Sequence, residues 1–118
     1  MKPLRLCLPL LAALSLSACH SHVISAHMVN ASSAPISGII IDYPGATFGK
    51  DKLLPGQEFR YTFKPVDNGN LKIEFTNAAG KTFRYPGPLV HKDDEGAIEI
   101  TFTQEDSKAL ARLTSSGK

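Results

Sequence analysis

The chain has 118 residues, room for one domain with short flanking segments. Its 13 basic and 11 acidic side chains give a formal charge of +2, and Lys2 and Arg5 account for the surplus. The rest is balanced at 11 and 11, so it lacks the overall positive charge that drives non-specific nucleic-acid binding, and no nucleic-acid partner is expected.

The N-terminus reads as an export signal. Met1, Lys2 and Arg5 form a short positive region, Leu6 to Leu16 an apolar run broken by Pro9 and Ser15, and Ser17 and Ala18 supply small residues before a cut. A run of about 11 residues is too short for a bilayer span, which needs about 20. Leu16-Ser17-Ala18-Cys19 resembles the lipobox of bacterial lipoproteins. The resemblance implies removal of residues 1–18, a diacylglyceryl group on the Cys19 sulfur and an acyl chain such as palmitate on the new amine. Two or more chains anchor stably where one does not. Histidine rather than aspartate after Cys19 implies the outer membrane, facing the periplasm. Residues 19–22 would be the lipidated cysteine and a short tether.

Cys19-His20-Ser21-His22 also suggests a metal site. An acylated sulfur is a poor ligand beside a thiolate. His20 and His22 are two apart, His27 follows, and His91 is remote, which does not match the roughly four ligands of structural zinc sites. No metal or other cofactor is expected. With Cys7 removed and Cys19 lipidated, no disulfide forms, and the fold must hold by its core.

Strand patterns then follow in order. Val23 to Asn30 is a first strand, and Asn30 to Pro35 a loop. Ile36 to Tyr43 is the second, with Ile39 and Ile41 on one face and Ile40 on the other, a triplet that suits a strand covered on both sides or near a sheet centre. Pro44-Gly45 ends it, and Phe48 to Leu53 is a possible short strand. Pro55-Gly56 marks a turn with positive φ at the glycine. Glu58 to Lys64 alternates Phe59, Tyr61 and Phe63 with polar residues. Asp67-Asn68-Gly69-Asn70 reads as a hairpin turn into Leu71 to Thr76. Asn77 to Gly80 turns into Thr82 to Tyr85, which Pro86-Gly87-Pro88 should stop. His91 to Gly96 is a charged loop, and Ala97 to Thr103 the last strand. After Gln104 the pattern turns helical, giving a short helix over Glu105 to Leu113 or a frayed tail.

Six or seven strands with turns every roughly 8–12 residues predict an all-β antiparallel sandwich, immunoglobulin-like, over residues 23–103, with 104–118 as a C-terminal tail. The expected core is Ile39, Ile41, Phe59, Tyr61, Phe63, Leu71, Ile73, Phe75, Phe83, Tyr85, Ile98, Ile100 and Phe102.

Tyr43 and Phe48, set among Pro44, Gly45 and Gly49, are the candidate binding residues: a loop could show both rings to a peptide or glycan. The plainer reading is that they cap the core. Asp67 to Asn70 lacks the further oxygen ligands of a calcium loop, and Asp93-Asp94-Glu95 reads as a solvated acidic loop. Nucleophile elbow, phosphate loop and His-Glu-x-x-His motifs are all missing, and His91 is the only histidine placed in the folded part. The chain therefore reads as a non-enzyme.

Asn30-x-Ser32, Ile41-Asp42-Tyr43-Pro44-Gly45, Phe48-Gly49, Leu54-Pro55-Gly56, Phe59-x-Tyr61-x-Phe63-Lys64 and Gly80-Lys81 resemble the layout of small uncharacterised bacterial lipoproteins. The resemblance implies export and a compact sandwich and transfers no catalytic or binding residue. The expected function is a lipid-anchored, non-catalytic binding or adaptor module of the cell envelope. Recognition would use an open sheet edge or the Tyr43–Phe48 loop, with an envelope protein as partner. The alternatives are an assembly accessory or chaperone, and a small-ligand or metal carrier.

Overall fold

The computed structural model describes residues 22–115. These form eight strands and no helix: β1 (Ile24–Asn30), β2 (Ile36–Tyr43), β3 (Ala46–Leu53), β4 (Glu58–Phe63), β5 (Gly69–Thr76), β6 (Thr82–Val90), β7 (Asp94–Phe102) and β8 (Ser107–Ser115). One sheet has the order β4-β1-β7-β8 and the other β3-β2-β5-β6. All neighbours are antiparallel except β1 and β7, which run parallel. The sheets stack as a sandwich, with β3 over β4 on one flank and β6 over β8 on the other.

Alternation builds the core. Ile24, Ala26 and Met28 of β1 face inward with Ile98, Ile100 and Phe102 of β7, against Ile39, Ile41, Leu71, Ile73 and Phe75 of the opposite sheet. Phe75 meets Phe102 edge-on across the sheets, with ring centroids 5.2 Å apart. Of the expected core residues, Phe59, Phe83 and Tyr85 are partly buried and Tyr61 is 39% exposed, because β4 and β6 are edge strands. Ile36 is buried as well as Ile39 because the register of β2 on β5 shifts between Ser37 and Ile40. Gly38, at φ 56°, takes the extra residue at a backbone angle that glycine adopts freely.

Several expectations are corrected. The segment after Gln104 is neither helical nor frayed through Ser115: it is β8, paired with β7 over nine positions. Ala109, Ala111 and Leu113 pack inward, while Lys108, Leu110, Arg112 and Thr114 are exposed. The sandwich therefore has eight strands, and it extends past residue 103. Its order also differs from that of an immunoglobulin domain, where the first two strands pair within one sheet. Here Asn30 to Pro35 carries the chain from one sheet to the other.

Pro86 and Pro88 do not stop β6, which continues to Val90 as an edge strand with a register shift between Asn70 and Lys72 on its neighbour. Asn68-Gly69 makes no hairpin, since β4 and β5 belong to different sheets. β2 lies inside its sheet, between β3 and β5, as the Ile39-Ile40-Ile41 triplet suggests, while Ile40 is 40% exposed, so the strand is not covered on both sides. His27, in β1, lies within the folded part alongside His91.

The end of the sandwich away from the N-terminus is closed by amide side chains. Buried Asn30 donates through Nδ2 to the Ala34 and Leu53 carbonyls, and its Oδ1 accepts from Ser32 N and Oγ, which fills its capacity. Gln104 Nε2 donates to Ser32 Oγ at 2.9 Å, and its Oε1 accepts from Ala78 N at 2.9 Å. Asn77 Nδ2 donates to the Gln104 carbonyl. Gln104, expected in the C-terminal tail, instead ties the chain segment ahead of β8 to two loops.

Candidate functional site

The Tyr43–Phe48 pair does not form an exposed aromatic loop. Pro44 and Gly45 make a tight β2–β3 turn, and both rings turn toward the core. Phe48 is 6% exposed and stacks on Tyr61 of β4, with centroids 4.2 Å apart. Tyr43 is half-buried against Phe63 at 4.4 Å. Burial, and secondarily the charge of a Tyr61 phenolate, raise the Tyr43 hydroxyl above the ordinary tyrosine value of 10.0. With Lys50 over the Phe59 ring at 5.1 Å, these contacts close the β3/β4 flank. Cys19, the expected lipidation site, lies outside the described residues.

The outer face of the β4-β1-β7-β8 sheet holds His27 between two carboxylates. Its Nε2 is 2.7 Å from Glu58 Oε1 on β4, and its Nδ1 is 3.2 Å from Glu99 Oε2 on β7. Both contacts are hydrogen bonds only when both ring nitrogens carry protons. The three side chains thus link β4, β1 and β7 from outside, and neither imidazole nitrogen faces open solvent as a ready ligand. The Asp93-Asp94-Glu95 loop also differs from a uniformly solvated one. Asp94 is buried, accepting from the His91 amide at 2.9 Å, and His91 Nδ1 lies 3.6 Å from its carboxylate.

The opposite outer face carries a groove of about 520 Å³. Ile40, Ile73, Tyr85 and Pro86 are among its lining residues. Its polar lining includes Thr47, which donates to Asp42, Arg84, whose Nε pairs with Glu74 at 2.9 Å, and Lys72. Apolar lining with a few fixed charges has the chemistry of a small-ligand site.

The open edges are the remaining feature. An edge strand leaves one row of peptide N–H and C=O groups to pair with another chain. β6 carries Pro86, Gly87 and Pro88, which interrupt such a row. β3 carries Gly49, and β4 is six residues long. β8 runs nine residues without proline, glycine or register shift. Its outward side chains read Lys108, Leu110, Arg112 and Thr114, with Leu110 55% exposed. On the neighbouring β7, Thr101 opposes Lys108, Glu99 opposes Leu110 and Ala97 opposes Arg112, so neither cation has an acidic residue directly opposite it there, and an added strand with acidic residues opposite Lys108 and Arg112 fits β8.

Sequence reasoning missed the β8 residues. Their period-two signal is present in Lys108-Ala109-Leu110-Ala111-Arg112-Leu113, but it places Ala109 and Ala111 inward and Leu110 outward, and alanine, leucine, lysine and arginine are also strong helix formers.

No protein-family model matches the chain, and no curated protein matches it. Among solved structures, it is similar to the NMR structure of a protein from Eubacterium rectale, with a TM-score of 0.55 and 10% sequence identity, covering 76% of this chain and 88% of that one. At that identity the likeness concerns the fold alone.

Proposed function

We propose that the chain is a lipid-anchored protein of the bacterial cell envelope, held through Cys19 at the outer membrane and facing the periplasm, and that it acts as a non-catalytic binding or adaptor module. The lipobox-like Leu16-Ser17-Ala18-Cys19 supports the anchor. The observation that carries the binding role is the β8 edge, nine unbroken residues with an outward Lys108-x-Leu110-x-Arg112 pattern. Such an edge takes an extended segment of an envelope protein by strand addition, main-chain bonds giving affinity and alternate side chains giving choice. Acidic residues opposite Lys108 and Arg112, with an apolar residue opposite Leu110, define the preferred segment. That chemistry also serves an assembly accessory or chaperone, which holds strands of other envelope proteins.

The test is photocrosslinking in intact cells with a reactive residue at Leu110, alongside a Cys19→Ala chain. The expected result is one envelope protein crosslinked through an acidic–apolar extended segment, from the anchored form, and lost on Lys108→Glu with Arg112→Glu. A membrane-bound chain that gives no crosslink at Leu110, or one indifferent to the charge reversal, overturns the reading.

The groove over Ile40 favours a second reading, a small-ligand carrier. It predicts a ligand-dependent rise in melting temperature that Ile40→Glu abolishes.

A further inference from the structure

The described chain begins at one end of the sandwich, and the surroundings of that start are defined. The His22 amide donates to Glu95 Oε1 at 3.1 Å, and the Gly96 amide donates to the Val23 carbonyl at 3.3 Å. Ile24 is in register with Phe63 and Gly96, and Gly96 with Leu113. This end therefore also holds the end of β4, the start of β7 and the last residues of β8. The connections gather there too. The Val66 amide donates to the Pro44 carbonyl at 3.2 Å, which sets the β4–β5 connection against the β2–β3 turn. The Lys92 amide donates to Asn68 Oδ1 at 3.0 Å, which adds the β6–β7 turn.

Val66 stands out at this end, 64% exposed despite being apolar. Lys64, Asp67, His91 and Lys92 around it are exposed as well. The opposite end is closed by Asn30, Asn77 and Gln104 and carries the Ala79-Gly80 turn.

Between Cys19 and His22 stand His20 and Ser21 alone. Even fully extended, this stretch covers about 11 Å, at the reach of roughly 3.3–3.6 Å per residue that backbone geometry allows. The polar layer of one leaflet is about 5–7 Å deep. Given the Cys19 anchor proposed above, on which this step rests, the loop end cannot stand far from the headgroups.

We propose that this end is a membrane-contacting face, with Val66 entering the lipid interface and Lys64 and Lys92 directed to lipid phosphates. Asp67, Asp93 and Glu95 offset the two lysines in charge. The contact is therefore held by the tether and by Val66, not by a net positive field, and it withstands salt. The sandwich then stands upright: its strands run away from the bilayer, and both the β8 edge and the groove over Ile40 face sideways.

The test uses the acylated protein in phosphatidylcholine–phosphatidylglycerol vesicles containing nitroxide-labelled lipid. A polarity-sensitive fluorophore is placed on Val66→Cys or on Ala79→Cys, in each case the one thiol left once Cys7 is removed and Cys19 is acylated. The expected result is severalfold stronger lipid quenching at position 66 than at 79, unchanged in high salt. Equal quenching at both positions, on protein whose mass shows the acyl chains, overturns the membrane face and leaves the anchor standing. An N-terminal peptide without acyl mass overturns both. Val66→Cys replaces an exposed side chain, and an unchanged melting temperature verifies that the variant folds.

Discussion

Phe48 of β3 lies parallel to Tyr61 of β4, with centroids 4.2 Å apart and planes inclined by 18°, and so joins edge strands of two different sheets. Phe63 and Tyr43 extend the contact along the same flank. Phe48→Ala removes a buried member of the cluster and is expected to cost about 3–5 kcal/mol. Tyr61→Ala, at a 39% exposed position, should cost clearly less. Urea unfolding of both variants gives the comparison; equal losses would mean that the flank is not closed by Phe48.

Alkaline pH acts on the same cluster. Because burial raises the Tyr43 hydroxyl, the folded state holds that proton more tightly than the unfolded state does. The resulting stability is fully present below the unfolded value of about 10 and is lost as pH rises through the higher folded value. Melting temperatures across this range should fall more steeply for the wild type than for Tyr43→Phe. Parallel curves would remove Tyr43 from the account.

Asn30 is buried with both amide hydrogens and its oxygen engaged. Asn30→Ala leaves the Leu53 carbonyl without this partner and should destabilise by about 1–3 kcal/mol. Asn30→Asp should be worse, since a carboxylate oxygen replaces the donor aimed at Leu53. Chemical denaturation orders the two; an Asp variant as stable as the wild type would contradict the hydrogen-bond assignment.

Ser107 presents the reverse case. Its buried hydroxyl has no hydrogen-bond partner among the described residues. Ser107→Ala removes a polar group at the start of β8 that is desolvated without return, and it should leave stability unchanged or raise it by up to about 1 kcal/mol. A loss of stability in thermal melts would show that the hydroxyl has a partner.

Gly49 makes a close approach within the β2–β3 pair. A Cβ there would stand 2.2 Å from the Ile39 carbonyl oxygen, so Gly49→Ala must push the strands apart. The expected loss is about 1–3 kcal/mol, as for other overpacked sites. A wild-type melting temperature in that variant would show that β3 yields freely.

What the sequence reveals depends on whether a residue's neighbours are near it in the chain. Leu71, Ile73 and Phe75 announce a half-buried strand by alternation alone, as do Ile98, Ile100 and Phe102, and all six are buried. The Asn77 to Gly80 hairpin is equally local. Pro86 and Pro88 mislead because a missing donor excludes a residue from a sheet interior but not from an edge. Lys108 to Leu113 misleads because Ala109 and Ala111 pack inward on a strand that lies beside β6 of the other sheet, which a linear reading cannot place. Tyr43 and Phe48 look like display residues until Tyr61 and Phe63, distant in sequence, arrive beside them.

The parallel pairing of β1 with β7 has a consequence in time. β1 occupies the middle of its sheet, yet one of its two neighbours is β7, the seventh of the eight described strands. A chain still emerging from a ribosome cannot close that sheet until residues 94–102 have followed. Until then Ile24, Ala26 and Met28 lack their permanent cover. Long-range closure of this kind slows folding, and here it leaves the first described strand without one of its two sheet partners until the seventh has been made.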